Sequence, residues 1–165
     1  MEIFRGRRLW IEKKKVRLPN GIERENVIIH PGNAVAILLI DRDRCKLLRQ
    51  YRYAVGQYIY EAPAGTMEEG EDPLETAHRE LIEETGFEAD TIVPKGFIYT
   101  TPGFTDEKIF LFEARGLAPS HEFKKDEDEV IEVVDVAMKD LEAMIRDGTI
   151  CDAKTICLVH HCMRE

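Results

Sequence analysis

The chain of 165 residues contains no internal repeat, no low-complexity segment and no apolar run of membrane-spanning length. Crossing a bilayer as a helix takes about 20 consecutive apolar residues, so a helical membrane protein is excluded. The charged N-terminus is not followed by the apolar stretch of a secretory leader, and the expected location is the cytoplasm. Positive charge is scarce: 23 Lys and Arg face 32 Asp and Glu, a formal net charge of −9. That balance argues against a nucleic-acid-binding surface. Cysteine is sparse too, at four positions: Cys45, Cys151, Cys157 and Cys162. Cys157, His160, His161 and Cys162 do not follow a usual paired-ligand zinc spacing, and a helix would spread them over several faces. Unpaired thiols without a secretion signal fit a reducing compartment. With 44% apolar residues, there is material for one domain with a real core.

What is present is concentrated between Gly65 and Phe87, in the run GTMEEGEDPLETAHRELIEETGF. Asp72-Pro73-Leu74-Glu75 reads as a helix start: an N-cap aspartate, a proline at the first helical position, and a glutamate where a capping box needs one. Leu74, Ala77 and Leu81 recur at helical spacing, and Gly86 stands where a left-handed C-terminal residue is wanted. The segment is expected to form a loop, a helix of about three turns and a glycine stop. At about 100° per residue, Leu74, Ala77 and Leu81 make the buried stripe, and Glu80 and Glu84 share one flank of it. Arg79 and Glu83 fall on the far side, four residues apart, where they can pair. Glu80 and Glu84 repel by a few tenths of a kcal/mol at that spacing, and no lysine stands nearby in sequence. A divalent cation would relieve them, and carboxylate oxygens are what Mg²⁺ or Mn²⁺ prefer. Glu71 has no role that helical geometry supplies.

Gly65, Glu71, Arg79, Glu80, Leu81, Glu83, Glu84, Gly86 and Phe87 together resemble the signature of the Nudix hydrolases, which cleave a nucleoside diphosphate linked to another group. Seven fixed identities and two apolar positions would coincide by chance at roughly 10⁻⁸ to 10⁻⁹ per start position. The resemblance implies that Glu80 and Glu84 hold metal, with Glu83 an auxiliary ligand or a brace for Arg79. It also implies that Gly65 leaves the Ala64 carbonyl free to complete the metal shell. Mg²⁺ is the expected ion, with Mn²⁺ as the alternative. A metal-laden site answers why an acidic chain would take an acidic substrate, since the ions cancel carboxylate charge and then coordinate phosphate oxygens.

The flanks narrow the expectation. Arg49-Gln50-Tyr51-Arg52 and Glu61-Ala62-Pro63-Ala64 stand upstream, and Pro102, in Thr101-Pro102-Gly103-Phe104, stands sixteen residues after Gly86. With Phe4-Arg5-Gly6-Arg7, these resemble the ADP-ribose pyrophosphatase subgroup. The implied substrate contacts are Arg52, Arg49, Glu61 and Pro102, with Arg52 reaching a phosphate or ribose. The implied general base is Glu129 or Glu127, in the charged run before Val130–Val134, and Arg79 and Glu83 complete the catalytic set. The expected reaction turns ADP-ribose and water into AMP and ribose 5-phosphate. The alternatives are another nucleoside diphosphate-sugar or dinucleotide substrate and, remotely, a non-catalytic nucleotide sensor.

The remaining pattern completes the fold expectation. Trp10–Val16 and Ile22–Ile29 flank Leu18-Pro19-Asn20-Gly21 and read as a hairpin. Strand-like runs follow at Ala34–Ile40, Lys46–Arg52, Gln57–Glu61, Gly96–Thr100, Ile109–Ala114 and Val130–Val136. The almost wholly apolar Ala34–Ile40 is expected at the centre of a sheet covered on both faces. Met138–Arg146 and a last helix capped by Asp152 close the chain. The fold class is α/β, a Nudix-type α/β/α sandwich with a mixed sheet, preceded by the hairpin. Residues 1–30 form the hairpin segment and 31–165 the Nudix domain, and the resemblance implies a homodimer assembled through the hairpin.

Overall fold

The computed structural model describes residues 1–121 and 131–163. Three strands open the chain, β1 (Glu2–Arg5), β2 (Trp10–Arg17) and β3 (Glu23–His30), and form an antiparallel sheet of their own. Asn20-Gly21 makes the β2–β3 turn as expected: the Gly21 N–H donates to the Leu18 carbonyl at 2.8 Å. β1 is an addition to the expected hairpin, too short for alternation to reveal it.

Among the described residues the second sheet has seven strands: β4 (Ala34–Asp41), β5 (Arg44–Arg52), β6 (Gln57–Glu61), β7 (Ala64–Thr66), β8 (Phe87–Tyr99), β9 (Lys108–Pro119) and β10 (Ile131–Ala137). Its main order is β10-β5-β4-β9-β8, with β6 beside β5 and β7 beside β4. β4 and β9 run parallel and the other pairs antiparallel, so the sheet is mixed. β8 is 13 residues long, well beyond the expected Gly96–Thr100. Its first half carries polar residues and Pro94, which obscure alternation, and the register shifts between Pro94 and Gly96. Pairing with β9, not local pattern, holds it in the sheet.

Helices cover both faces. α1 (Pro73–Thr85) lies on one side; a 3₁₀ turn (Met138–Asp140), α2 (Leu141–Arg146) and α3 (Ala153–Cys162) lie on the other. β4 shows why it had to be apolar throughout. Val35, Ile37 and Leu39 pack with Ala77 and Leu81 of α1, while Ala36, Leu38 and Ile40 pack with Leu141, Ile150 and Leu158. This is the α/β/α sandwich that the resemblance implies and the order of strands and helices fits. Leu74 departs from the helical pattern: at 40% exposure, in the first turn of α1, it is not part of the buried stripe, since helical phase alone does not decide which turns other elements cover. Thr76, Ala77, Glu80, Leu81 and Thr85 are the buried residues of that helix.

The first sheet meets the connection between β8 and β9. The Ile29 N–H donates to the Phe104 carbonyl at 2.9 Å, and His30 Nδ1 lies 2.6 Å from Asp106 Oδ2. No helix among the described residues is long and apolar enough to cross a membrane.

Leu38 is fully buried between β4 and the α2–α3 layer. Leu38→Ala is expected to cost about 2–5 kcal/mol of unfolding free energy through the cavity it leaves, measured by urea titration.

Candidate active site

Local chemistry first fixes the start of α1. Asp72 Oδ1 accepts the Leu74 N–H at 2.8 Å, Glu75 reaches back to the Asp72 N–H, and Pro73 opens the helix. Gly86 closes it in the left-handed region at φ 74°, its N–H donating to the Ile82 carbonyl. Both ends stand as the sequence predicts, so local caps fix which residues the helix comprises and hence the spacing of its glutamates.

β7 sets the depth of the site. Gly65 pairs with Val35 and lies directly beneath Glu80. A Cβ on Gly65 would stand 1.8 Å from the Glu80 carboxyl carbon, so only glycine admits that side chain. The neighbouring Ala64 N–H donates to Glu84 Oε2 at 2.8 Å. One three-residue strand thereby holds both glutamates of the flank predicted to bind metal. The glycine's role is close approach, and its neighbour's contribution in this structure is an N–H that anchors Glu84.

Arg79 organises the remainder. Its Nε and Nη2 donate to Glu71 Oε1 and Oε2, both at 3.1 Å; its Nη1 donates to Glu80 at 2.7 Å and to Glu83 at 3.0 Å; Nη2 also reaches the Thr66 carbonyl. The expected Arg79–Glu83 pair is present. The contacts to Glu80 and Glu71 are not among those expected, because a flexible arginine reaches around the helix and back to the preceding loop. Hydrogen bonds from Arg79, then the Glu68 N–H, hold the Glu71 carboxyl down at about 2. The Glu71 bonds, ahead of its other carboxylate partners, push the Arg79 pKa upward.

These residues line one groove of about 1500 Å³, together with Arg52, Asp152 and Lys154 and with Arg7, Trp10 and His30 from the first sheet. Arg52 donates bidentately to Glu61, from Nε at 2.6 Å and Nη2 at 2.9 Å. Glu61 sits behind it, 2% exposed, and also pairs with Lys154. Arg49 lies outside the groove lining, its guanidinium 4.2 Å from the Tyr58 ring centroid and paired with Glu132. Pro102 is likewise outside the lining, in the turn that docks β3. Glu127 and Glu129 fall outside the described residues.

The donor set suits a hard divalent cation: Glu80, Glu83 and Glu84 present carboxylate oxygens on one helix beside the Ala64–Gly65 backbone. Glu71, Glu80, Glu83 and Glu84 set against Arg79, which bonds the first three, leave three formal negative charges on this face for such an ion to offset. Among the described residues, no three His, Cys, Asp or Glu side chains already converge on one ion position. Arg79 occupies the carboxylates of Glu80 and Glu83 instead. Nothing in the sequence marks Lys154 and Asp152 as site residues, since nothing local connects the last helix to the Gly65–Phe87 segment.

A NUDIX domain model matches residues 30–158. The chain is 36% identical over 156 residues to an ADP-ribose pyrophosphatase of Bacillus subtilis (strain 168), covering 93% of this chain and 84% of that one. It is 35% identical over 162 residues to a methanol dehydrogenase activator of Bacillus methanolicus, covering 97% and 88%. A solved structure of an ADP compounds hydrolase superposes with a TM-score of 0.84 at 26% identity, covering 98% of this chain and 88% of that one.

The Glu71 carboxyl is expected to titrate near 2 in carbon-detected NMR. Its depressed value means that its pairing favours the fold above the ordinary 4.5 and is lost as pH falls toward 2. Arg79→Met should return that midpoint toward 4.5.

Proposed function

The chain belongs to the NUDIX family of hydrolases, and from that we propose that it hydrolyses the diphosphate linkage of ADP-ribose to AMP and ribose 5-phosphate. The observation that carries this reading is the seat of Glu80 and Glu84 on the Ala64–Gly65 strand, in one groove with the Glu61-braced Arg52. Similarity to an ADP-ribose pyrophosphatase over most of both chains supports the choice of substrate.

Enzymes of this family generally depend on a divalent metal, and we propose Mg²⁺, with Mn²⁺ as the alternative, held by Glu80, Glu84 and Glu83. When bound, such an ion supplies Lewis acidity at phosphorus and a more acidic water. The chain's own residues do the rest. Arg79 gathers Glu71, Glu80 and Glu83 so that the α1 face keeps one arrangement. Arg52 offers charge-assisted hydrogen bonds to phosphate oxygens. Glu129 or Glu127 takes the proton of the attacking water. The first sheet, residues 1–30, serves as the contact between two copies, and the enzyme works in the cytoplasm.

Purified protein offered a panel of nucleoside diphosphate derivatives is expected to prefer ADP-ribose, to yield AMP and ribose 5-phosphate by chromatography, and to lose turnover in EDTA. A different preferred substrate would sink the ADP-ribose reading. Glu84→Gln should remove most turnover at saturating Mg²⁺. One of Glu127→Gln and Glu129→Gln should lower kcat by roughly 10²- to 10⁴-fold; two near-normal variants would place the base elsewhere.

A further inference from the structure

A second charged cluster borders the same groove, and its construction begins in α3. Asp152 caps that helix, accepting the Thr155 N–H at 2.9 Å and the Thr155 hydroxyl at 2.6 Å. The same hydroxyl accepts the Ala62 N–H at 2.7 Å, which bolts the first turn of α3 to the end of β6. That docking sets Lys154 against Glu61.

A carboxylate as deeply buried as Glu61 persists only if it is paired. Its Oε1 accepts from Arg52 Nε, and its Oε2 accepts from Arg52 Nη2 and from Lys154. Burial pushes the Glu61 carboxyl up, but the Arg52 hydrogen bonds and the Lys154 charge outweigh it and hold it below the ordinary range. Bidentate Arg52 already answers the single charge of Glu61. Lys154 is a further cation at the groove wall, its charge matched by Asp152, whose Oδ1 lies 3.1 Å from the ammonium.

Counting donors shows what the two cations have left. A guanidinium carries five N–H groups and an ammonium three. Arg52 commits two to Glu61, and Lys154 directs one to Glu61 and faces Asp152 with another. Each keeps at least one N–H, and both residues line the groove that holds Glu80, Glu83 and Glu84.

The geometry points to Lys154 as a second substrate-binding cation, which with Arg52 seats phosphate oxygens of the diphosphate. Glu61 is the positioning residue for both: it holds them side by side from behind and itself lies outside the groove lining. Asp152 and Thr155 fix the helix end that carries Lys154. The assignment rests on the substrate's having a diphosphate and is indifferent to the sugar attached.

The test compares wild type, Lys154→Met and Lys154→Arg by steady-state kinetics on whichever diphosphate the wild type cleaves best. Loss of one charge-assisted contact shared by bound substrate and transition state should raise KM about tenfold and leave kcat within about threefold. Lys154→Arg, which keeps the charge, should recover most of that KM. Calorimetry with that same diphosphate in EDTA should show Kd weakened by a similar factor without any turnover. A KM and Kd for Lys154→Met within twofold of wild type would overturn the assignment. So would a fall in kcat and thermal midpoint that Lys154→Arg does not rescue, the mark of a purely structural lysine. A wild type that prefers another diphosphate defeats the ADP-ribose reading and leaves the Lys154 comparison intact. A wild type that neither cleaves nor binds any diphosphate defeats both.

Discussion

One guanidinium holds the acidic face of this molecule together. Arg79 gathers Glu71 from the loop before α1, Glu80 and Glu83 from α1 itself, and the Thr66 carbonyl at the end of β7. Without a cation at that point, three carboxylates within reach of one another would push the loop and the helix apart. With it, a chain of net charge −9 keeps its densest patch of glutamates folded and aimed into one groove. Gly65 supplies the complementary constraint, since Glu80 can lie down on β7 only where no Cβ stands.

The groove is thus lined by charges of both signs, positioned by different means. The acidic side is local: a capped helix, a three-residue strand and the loop between them, all within Ala64–Gly86. The cationic side is assembled from distant parts, Arg52 at the end of β5, Glu61 at the end of β6 and Lys154 in the first turn of α3. The two are near enough to interact: after its hydrogen bond to Glu61, the charges of Glu84 and Asp152 also raise the Arg52 pKa. A diphosphate needs this kind of pairing, carboxylates for its counter-cations and free N–H donors for its oxygens.

Legibility in the sequence follows the range of each interaction. The capping box at Asp72 and Glu75, the Gly86 stop, the Asn20-Gly21 turn and the buried β4 strand are all present as the pattern predicts, because short spacings dictate them. Leu74 fails the stripe because helical phase alone cannot say which turns of a helix other elements cover. The first half of β8 is missed because the β9 ladder, and no alternation of its own, makes it a strand. Glu71 has no role on a helical wheel, being outside the helix, and acquires one when Arg79 folds back onto the loop.

The amino-acid sequence by itself determines the chemistry of the box: which glutamates share a helix face, and where that helix begins and ends. These depend on bonds spanning a few residues, and so they survive reading in one dimension. Tertiary structure alone decides that Glu80 rests on Gly65, that Arg79 spans loop and helix, and that Lys154 meets Glu61 across 93 residues of chain. Those contacts arise from the docking of β7 on β4 and of α3 on β6, and no spacing in the sequence encodes a distance between elements that only packing brings together.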